Sequence, residues 1–273
     1  MTSRCFAFGC SYTHYAYATW ADYVGSNFDV YHNYARPGAS NTFIMNKFIE
    51  ANERYSFNRD SDYVLIMLTG FGRFSYIKED NTWVNNGDLY SYYNNTKDEK
   101  VGWFLKNIWN DHYAVYMSWI AAKTIKNILQ TKNIPHKILM GIDNTSYLKD
   151  NISSCGYNYN LNKDGINLAN EIYELVDNKQ SYDEWMRNID YENKHPIWKD
   201  ENNRLDGHPS QSLHYKYFKE HFPEFVTDKS QKLYDLVEGI YEGSTQHLQE
   251  NKFVNNFYKT YNKRYESPLF GGI

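Results

Sequence analysis

The chain has 273 residues and a formal net charge of -4. Hydrophobic residues make up 41% of it and charged residues 23%, which predicts a packed core and excludes extensive disorder. No basic block indicates a nucleic-acid partner, and no apolar run is long enough to predict a membrane span.

Short apolar runs alternate with amphipathic segments along the chain. Strands are predicted over residues 4–8, 28–32, 63–68 and 136–142. Helices are predicted over residues 20–24, from Ser40 or Asn41 onward, and over 113–130, 166–176, 210–221 and 230–249. This alternation predicts an α/β fold with a doubly wound parallel sheet, arranged as a three-layer sandwich.

Two stretches lack this periodicity and are rich in Asn and Tyr. Residues near 70–112 and 144–204 are therefore predicted to be irregular, aromatic-rich insertions at one end of the sheet. Residues 1–225 would form the α/β domain, and residues 226–273 a C-terminal helical extension packed on it.

The cysteines and the N-terminus bear on the cellular compartment. Cys5, Cys10 and Cys155 make an odd number without metal-site spacing, which favours a reducing environment over a disulfide framework. The N-terminus predicts a strand, and no charged segment followed by an apolar run and a cleavage site is seen. We therefore expect a cytoplasmic protein.

A serine follows the first predicted strand directly, in the segment Gly9–Thr13. Sites in open parallel sheets form at the carboxyl ends of strands. A corner there would expose the Ser11 hydroxyl and leave backbone N–H groups for an oxyanion. The alternative is a plain turn in which Ser11 caps the next segment. Cys10 has no nearby cation to activate it, so we interpret it as a small buried side chain.

An acid and a base lie far downstream, in Asp206-Gly-His208-Pro209. A carboxylate beside an imidazole fixes its tautomer and stabilises the imidazolium. The alternative is a turn with an exposed His208. His214 and His221 follow, but helical metal pairs lie one turn apart and these lie nearly two turns apart. We therefore expect no metal site.

Oxyanion and substrate-binding candidates follow the second and third strands. Gly38 allows close approach of the backbone just before a helix N-terminus, where Asn41 could equally be an ordinary cap. Thr69 follows the third strand, and Arg73 lies four residues beyond it. Arg73 would bind a carboxylate or a sugar hydroxyl, or form a surface ion pair.

Together these segments resemble the SGNH hydrolase family, also called GDSL-like lipases and esterases. Gly9–Thr13 is similar to its nucleophile block, Gly38 to its second-block oxyanion glycine, and Asp206 with His208 to its acid–base block. The resemblance covers roughly residues 4–70, 113–143 and 204–222. Some SGNH-like proteins of tailed phages and marine bacteria look similar in the same segments.

The resemblance implies a serine esterase or deacetylase without a cofactor. Ser11 would attack a small acyl ester, such as an O-acetyl group on a carbohydrate, with His208 as base and Asp206 orienting it. The expected partner is that small-molecule or carbohydrate ester, with no nucleic acid and no membrane.

Two departures from the family pattern affect activity. The Asp206–His208 spacing is one residue short, and Phe71 occupies the approximate position of the third-block asparagine. Asn41 or the Thr69 hydroxyl would have to substitute. Losing one oxyanion donor can cost about 10²–10³ in rate. The alternative function is a non-catalytic, SGNH-like binding or structural module, such as a virion component.

Overall fold

A computed structural model of the chain describes residues 2–15, 17–142, 144, 161–178, 180–189 and 208–242. In chain order its elements are β1 (Arg4–Phe8), α1 (Trp20–Gly25), β2 (Val30–Asn33), α2 (Asn41–Tyr55), β3 (Asp62–Leu68), β4 (Arg73–Ile77), β5 (Trp83–Asp88), α3 (Leu89–Thr96), α4 (Glu99–Asn107), α5 (Asp111–Thr131), β6 (His136–Met140), α6 (Lys163–Leu175), α7 (Tyr182–Arg187), α8 (Gln211–His221) and α9 (Asp228–Glu242).

The central sheet has four parallel strands in the order β2-β1-β3-β6. Helices cover both of its faces, which confirms the predicted α/β class with a parallel sheet. The two central strands, β1 and β3, are mostly apolar because helices cover them on both faces. Phe8 at the end of β1 lies beside Ile66 in β3, so the loops after these two strands leave the sheet together.

Alternate residues of each strand face two separate cores. Phe6, Phe8 and Ile66 pack towards α2, α5 and α6, on what we call the α2 face. Ala7 and Leu65 pack towards α1, α7, α8 and α9, on what we call the α1 face. The period-two alternation of strand side chains produces this division.

The first insertion is more regular than its sequence predicts. It contains the antiparallel β4–β5 hairpin followed by α3 and α4. The side chains of the hairpin are mostly half-buried or exposed. The sequence therefore lacks the apolar periodicity from which these two strands could be predicted. Of the second insertion, α6 and α7 are described, and α7 was not predicted.

The hairpin rests on the start of α2. The Ser75 hydroxyl accepts a hydrogen bond from the Ser40 N–H at 3.1 Å, and the Gly87 N–H donates to the Gly38 carbonyl at 3.1 Å. Gly38 has φ +73°, and a Cβ there would lie 2.7 Å from the Asn85 carbonyl oxygen. Only glycine fits this contact, because both the backbone conformation and the space exclude a side chain.

The observed ends of the elements differ slightly from those predicted. The second strand, Val30–Asn33, begins two residues later and ends one residue later than predicted, and α9 begins at Asp228 rather than at residue 230. The predicted continuation of α9 to residue 249 lies outside the described residues beyond Glu242. Across the described ranges, none of the helices combines the length and the apolar character that a membrane crossing requires.

Candidate active site

Ser11 lies in a tight loop at the carboxyl end of β1. The Thr13 N–H donates to the Cys10 carbonyl at 2.9 Å, which closes a turn around Ser11. A Cβ at Gly9 would lie 2.1 Å from Thr13 Oγ1, so this turn needs glycine before it. Ser11 is only 4% exposed, which leaves a reactant a narrow approach to its hydroxyl.

Asn33, at the end of β2, joins the loops that carry Ser11 and Gly38. Its Nδ2 donates to the Thr13 carbonyl at 3.0 Å, and its Oδ1 accepts from the Ala35 N–H at 3.0 Å. The two loops also meet directly, because the Arg36 N–H donates to the Gly9 carbonyl at 3.2 Å. Sequence reasoning missed this role, although a buried polar residue at a strand end is a usable signal.

Two backbone N–H groups in these loops have no hydrogen-bond partner in the described structure. Neither the Ser11 N–H nor the Gly38 N–H donates a hydrogen bond to any residue in the described ranges. The Gly38 carbonyl, in contrast, is held by the hairpin. The predicted use of Gly38 as an oxyanion donor stays a prediction, and its contact with the hairpin is an additional role.

His208 lies against the loop that carries Ser11. Its ring stacks on Tyr15 with centroids 4.2 Å apart and meets the ring of Tyr12 at 6.0 Å. The Tyr17 hydroxyl donates to the Pro209 carbonyl, across 192 residues of sequence. A late loop and the first loop of the chain therefore meet at one edge of the sheet. Asp206, the predicted acid, lies outside the described residues.

A buried histidine lies behind His208. His214 Nδ1 and the Tyr182 hydroxyl are 2.8 Å apart, and the Tyr182 ring packs on Tyr12. Burial, with a smaller effect of His208, lowers the pKa of His214 to about 3, so His214 is neutral at neutral pH. No group of three or more His, Cys, Asp or Glu within the described ranges could hold a metal ion.

Asn41 and Thr69 form a reciprocal pair at the end of β3. Asn41 Nδ2 donates to the Thr69 carbonyl and to Ser118 Oγ, both at 3.0 Å, and Asn41 Oδ1 accepts from the Thr69 N–H at 2.8 Å. Both donors of this amide are thus occupied, which gives Asn41 a positioning role. Thr69 Oγ1 is buried, and no partner for it lies among the residues described.

Ser11 and Thr69 follow the neighbouring strands β1 and β3. Phe8 pairs with Ile66, and each candidate lies three residues beyond its strand's paired residue. The Phe71 N–H is already occupied, since it donates to Asn144 Oδ1 at 3.2 Å. In the third loop, the buried Thr69 hydroxyl is thus left without a hydrogen-bond partner among the residues described.

Arg73 begins β4 and lines a cavity of about 380 Å³ between the hairpin, the start of α2 and α5. Asn41 and Ser118 also line it. The structure thus joins Asn41 to Thr69 and places Asn41 and Arg73 at one cavity, while His208 contacts the Ser11 loop through Tyr12 and Tyr15.

Comparison with known structures gives a distant likeness to a lipolytic protein. The chain is similar to the crystal structure of a member of the lipolytic protein G-D-S-L family from Veillonella parvula DSM 2008. The two share 10% identity with a TM-score of 0.42, over 81% of this chain and 98% of the other. No protein-family model and no curated protein matches the sequence. Likeness at this level assigns no role to any residue here.

Proposed function

We propose that the chain is a serine hydrolase that cleaves a small acyl ester, with Ser11 as nucleophile and His208 as general base. The observation that carries the proposal is the contact of the His208 ring with Tyr12 and Tyr15. A serine hydroxyl is a poor nucleophile without a base beside it. An imidazole brought to the serine loop from the far end of the sequence supplies one.

In the proposed reaction, Ser11 Oγ forms a bond to the carbonyl carbon and passes its proton to the His208 imidazole. The Ser11 and Gly38 N–H groups stabilise the oxyanion. The intermediate then expels the alcohol, which takes the proton from His208. Water, deprotonated by the same imidazole, releases the acid and restores Ser11. Asp206 would orient His208, and the resemblance suggests an O-acetylated carbohydrate as substrate.

A non-catalytic binding module is the second candidate, and one observation favours it. The amide of Asn41 is occupied by Thr69 and Ser118, and the Phe71 N–H is occupied by Asn144. Of the groups that would have to substitute for the oxyanion asparagine of the family, only the Thr69 hydroxyl is thus left without a partner among the described residues. A binding module that kept the framework of the fold would tolerate this loss.

Hydrolysis of p-nitrophenyl acetate separates the two candidates. Replacing the nucleophile in Ser11→Ala should lower the enzymatic rate by at least about 10³-fold. Ser26→Ala is the matched control, because its hydroxyl donates only to the Tyr23 carbonyl at 2.7 Å, at the end of α1. Equal rates for wild type and Ser11→Ala would exclude Ser11 from the chemistry and leave the binding module.

A further inference from the structure

The cavity beside Arg73 has the size and walls of a small-molecule site. Its volume of about 380 Å³ lies within the range of roughly 300–1,000 Å³ that is usual for ligand pockets. It lies between the β4–β5 hairpin and the first turns of α2 and α5. Most of its wall is apolar or aromatic, with Phe74 and Trp83 from the hairpin, Trp109 before α5 and Met117 within it.

Two hydrogen-bond donors of the cavity-lining residues are buried without a partner in the described structure. They are Arg73 Nη1 and Trp109 Nε1, and Trp109 as a whole is only 6% exposed. Buried donors in folded proteins are almost always satisfied, by protein, water or ligand. Because both residues line the same cavity, an acceptor bound there would satisfy these two donors.

The charge around the cavity favours an anionic acceptor. Arg73 forms no ion pair with any residue in the described ranges. Asp88 is opposite it in the hairpin register and lies close enough for the Arg73 charge to act on its carboxyl, although burial raises the pKa of that carboxyl. The hydrogen bond that Asp88 Oδ1 accepts comes from the Ser91 N–H at 2.9 Å, at the start of α3. The N-terminal end of α2, with its positive dipole, also faces the cavity through Asn41.

We propose that this cavity binds a small carboxylate with an aromatic or apolar body. The carboxylate is held by Arg73 and the Trp109 N–H, and the body lies between the rings of the hairpin and α5. Because Asn41 both lines the cavity and holds Thr69, the ligand lies next to the end of β3. In the proposed hydrolase the cavity selects esters that carry a carboxylate. That last step rests on the proposed function, and binding itself does not.

Calorimetric titration of the full chain with phenylacetate and with its neutral isostere phenylacetamide tests the proposal. Wild type should bind phenylacetate at least about tenfold more tightly, as expected for a charge-assisted contact. Arg73→Met should abolish this preference. Arg59→Met is the matched control, since Arg59 lines a separate groove with Pro135 and His136 beside the start of β6. It should keep the preference.

Two further variants separate this inference from the proposed function. Ser11→Ala should bind phenylacetate as wild type does. If the protein binds phenylacetate but never hydrolyses esters, the proposed function is refuted and the binding inference is retained. Met117→Trp fills the cavity while keeping Arg73, and should abolish binding even if Arg73→Met folds poorly. Equal affinity of wild type for the acid and the amide, or an unchanged preference in a folded Arg73→Met, would overturn the inference.

Discussion

Two regions on opposite faces of the sheet are packed in contrasting ways. On the α1 face, aromatic rings hold the late loop tightly: Tyr15 stacks on His208, and Tyr182 packs between Tyr12 and His214. On the α2 face, the hairpin spans the edge of the sheet and leaves a cavity of about 380 Å³. The first arrangement suits a side chain whose orientation must be fixed, such as His208. The second leaves space that a ligand can occupy.

Disrupting the contact between Gly38 and the β4–β5 hairpin should lower the free energy of unfolding more than any other change considered below. Gly38→Ala forces a Cβ to within 2.7 Å of the Asn85 carbonyl at φ +73°. We expect a loss of about 2–5 kcal/mol in the free energy of unfolding, from backbone strain plus overpacking. Gly87→Ala is the matched control, because its φ is +69° but nothing lies within 4 Å of the added Cβ.

Gly87→Ala should therefore cost only about 1–2 kcal/mol, the strain of the left-handed conformation alone. Urea denaturation of both variants measures the difference. Equal losses would mean that the hairpin does not pack closely against Gly38. The hairpin would then not be the fixed wall of the cavity that the structure shows.

A smaller effect is expected on the His208 side. Tyr182→Phe removes the hydroxyl 2.8 Å from His214 Nδ1 and leaves that buried nitrogen unpaired, which should cost about 1–3 kcal/mol. Tyr217→Phe is the control, because the Tyr217 hydroxyl is equally buried and no partner for it lies in the described ranges. Its loss should be near zero in the same denaturation series, and a matching loss in both variants would refute the role of the bond.

Local signals in the sequence were enough to predict the framework. Apolar runs and one alternating segment marked the four strands of the sheet, and the helix predicted over residues 210–221 is observed as α8. The prediction that loops after successive strands share one edge follows from parallel topology, and His208 does lie against Tyr12.

The rest of the site depends on contacts that no local pattern encodes. The β4–β5 hairpin is held by Trp83 against Phe43, and by hydrogen bonds to residues about 35 positions away such as Ser75 to Ser40. Asn41 looked interchangeable with Thr69 as an oxyanion donor, and only coordinates reveal that the two bond to each other. The cavity likewise assembles from segments distant in sequence.

The account depends most on Ser11 being activated by His208. Labelling with a fluorophosphonate probe, followed by peptide mapping, measures this activation without any choice of substrate. Wild type should be labelled at Ser11, and His208→Gln at least about 10²-fold more slowly, as loss of a general base predicts. His136→Gln, altered at the start of β6 at the opposite end of the sheet, should match wild type. Labelling of Ser11 at the same rate in His208→Gln, or no labelling of Ser11 in wild type, would contradict the account.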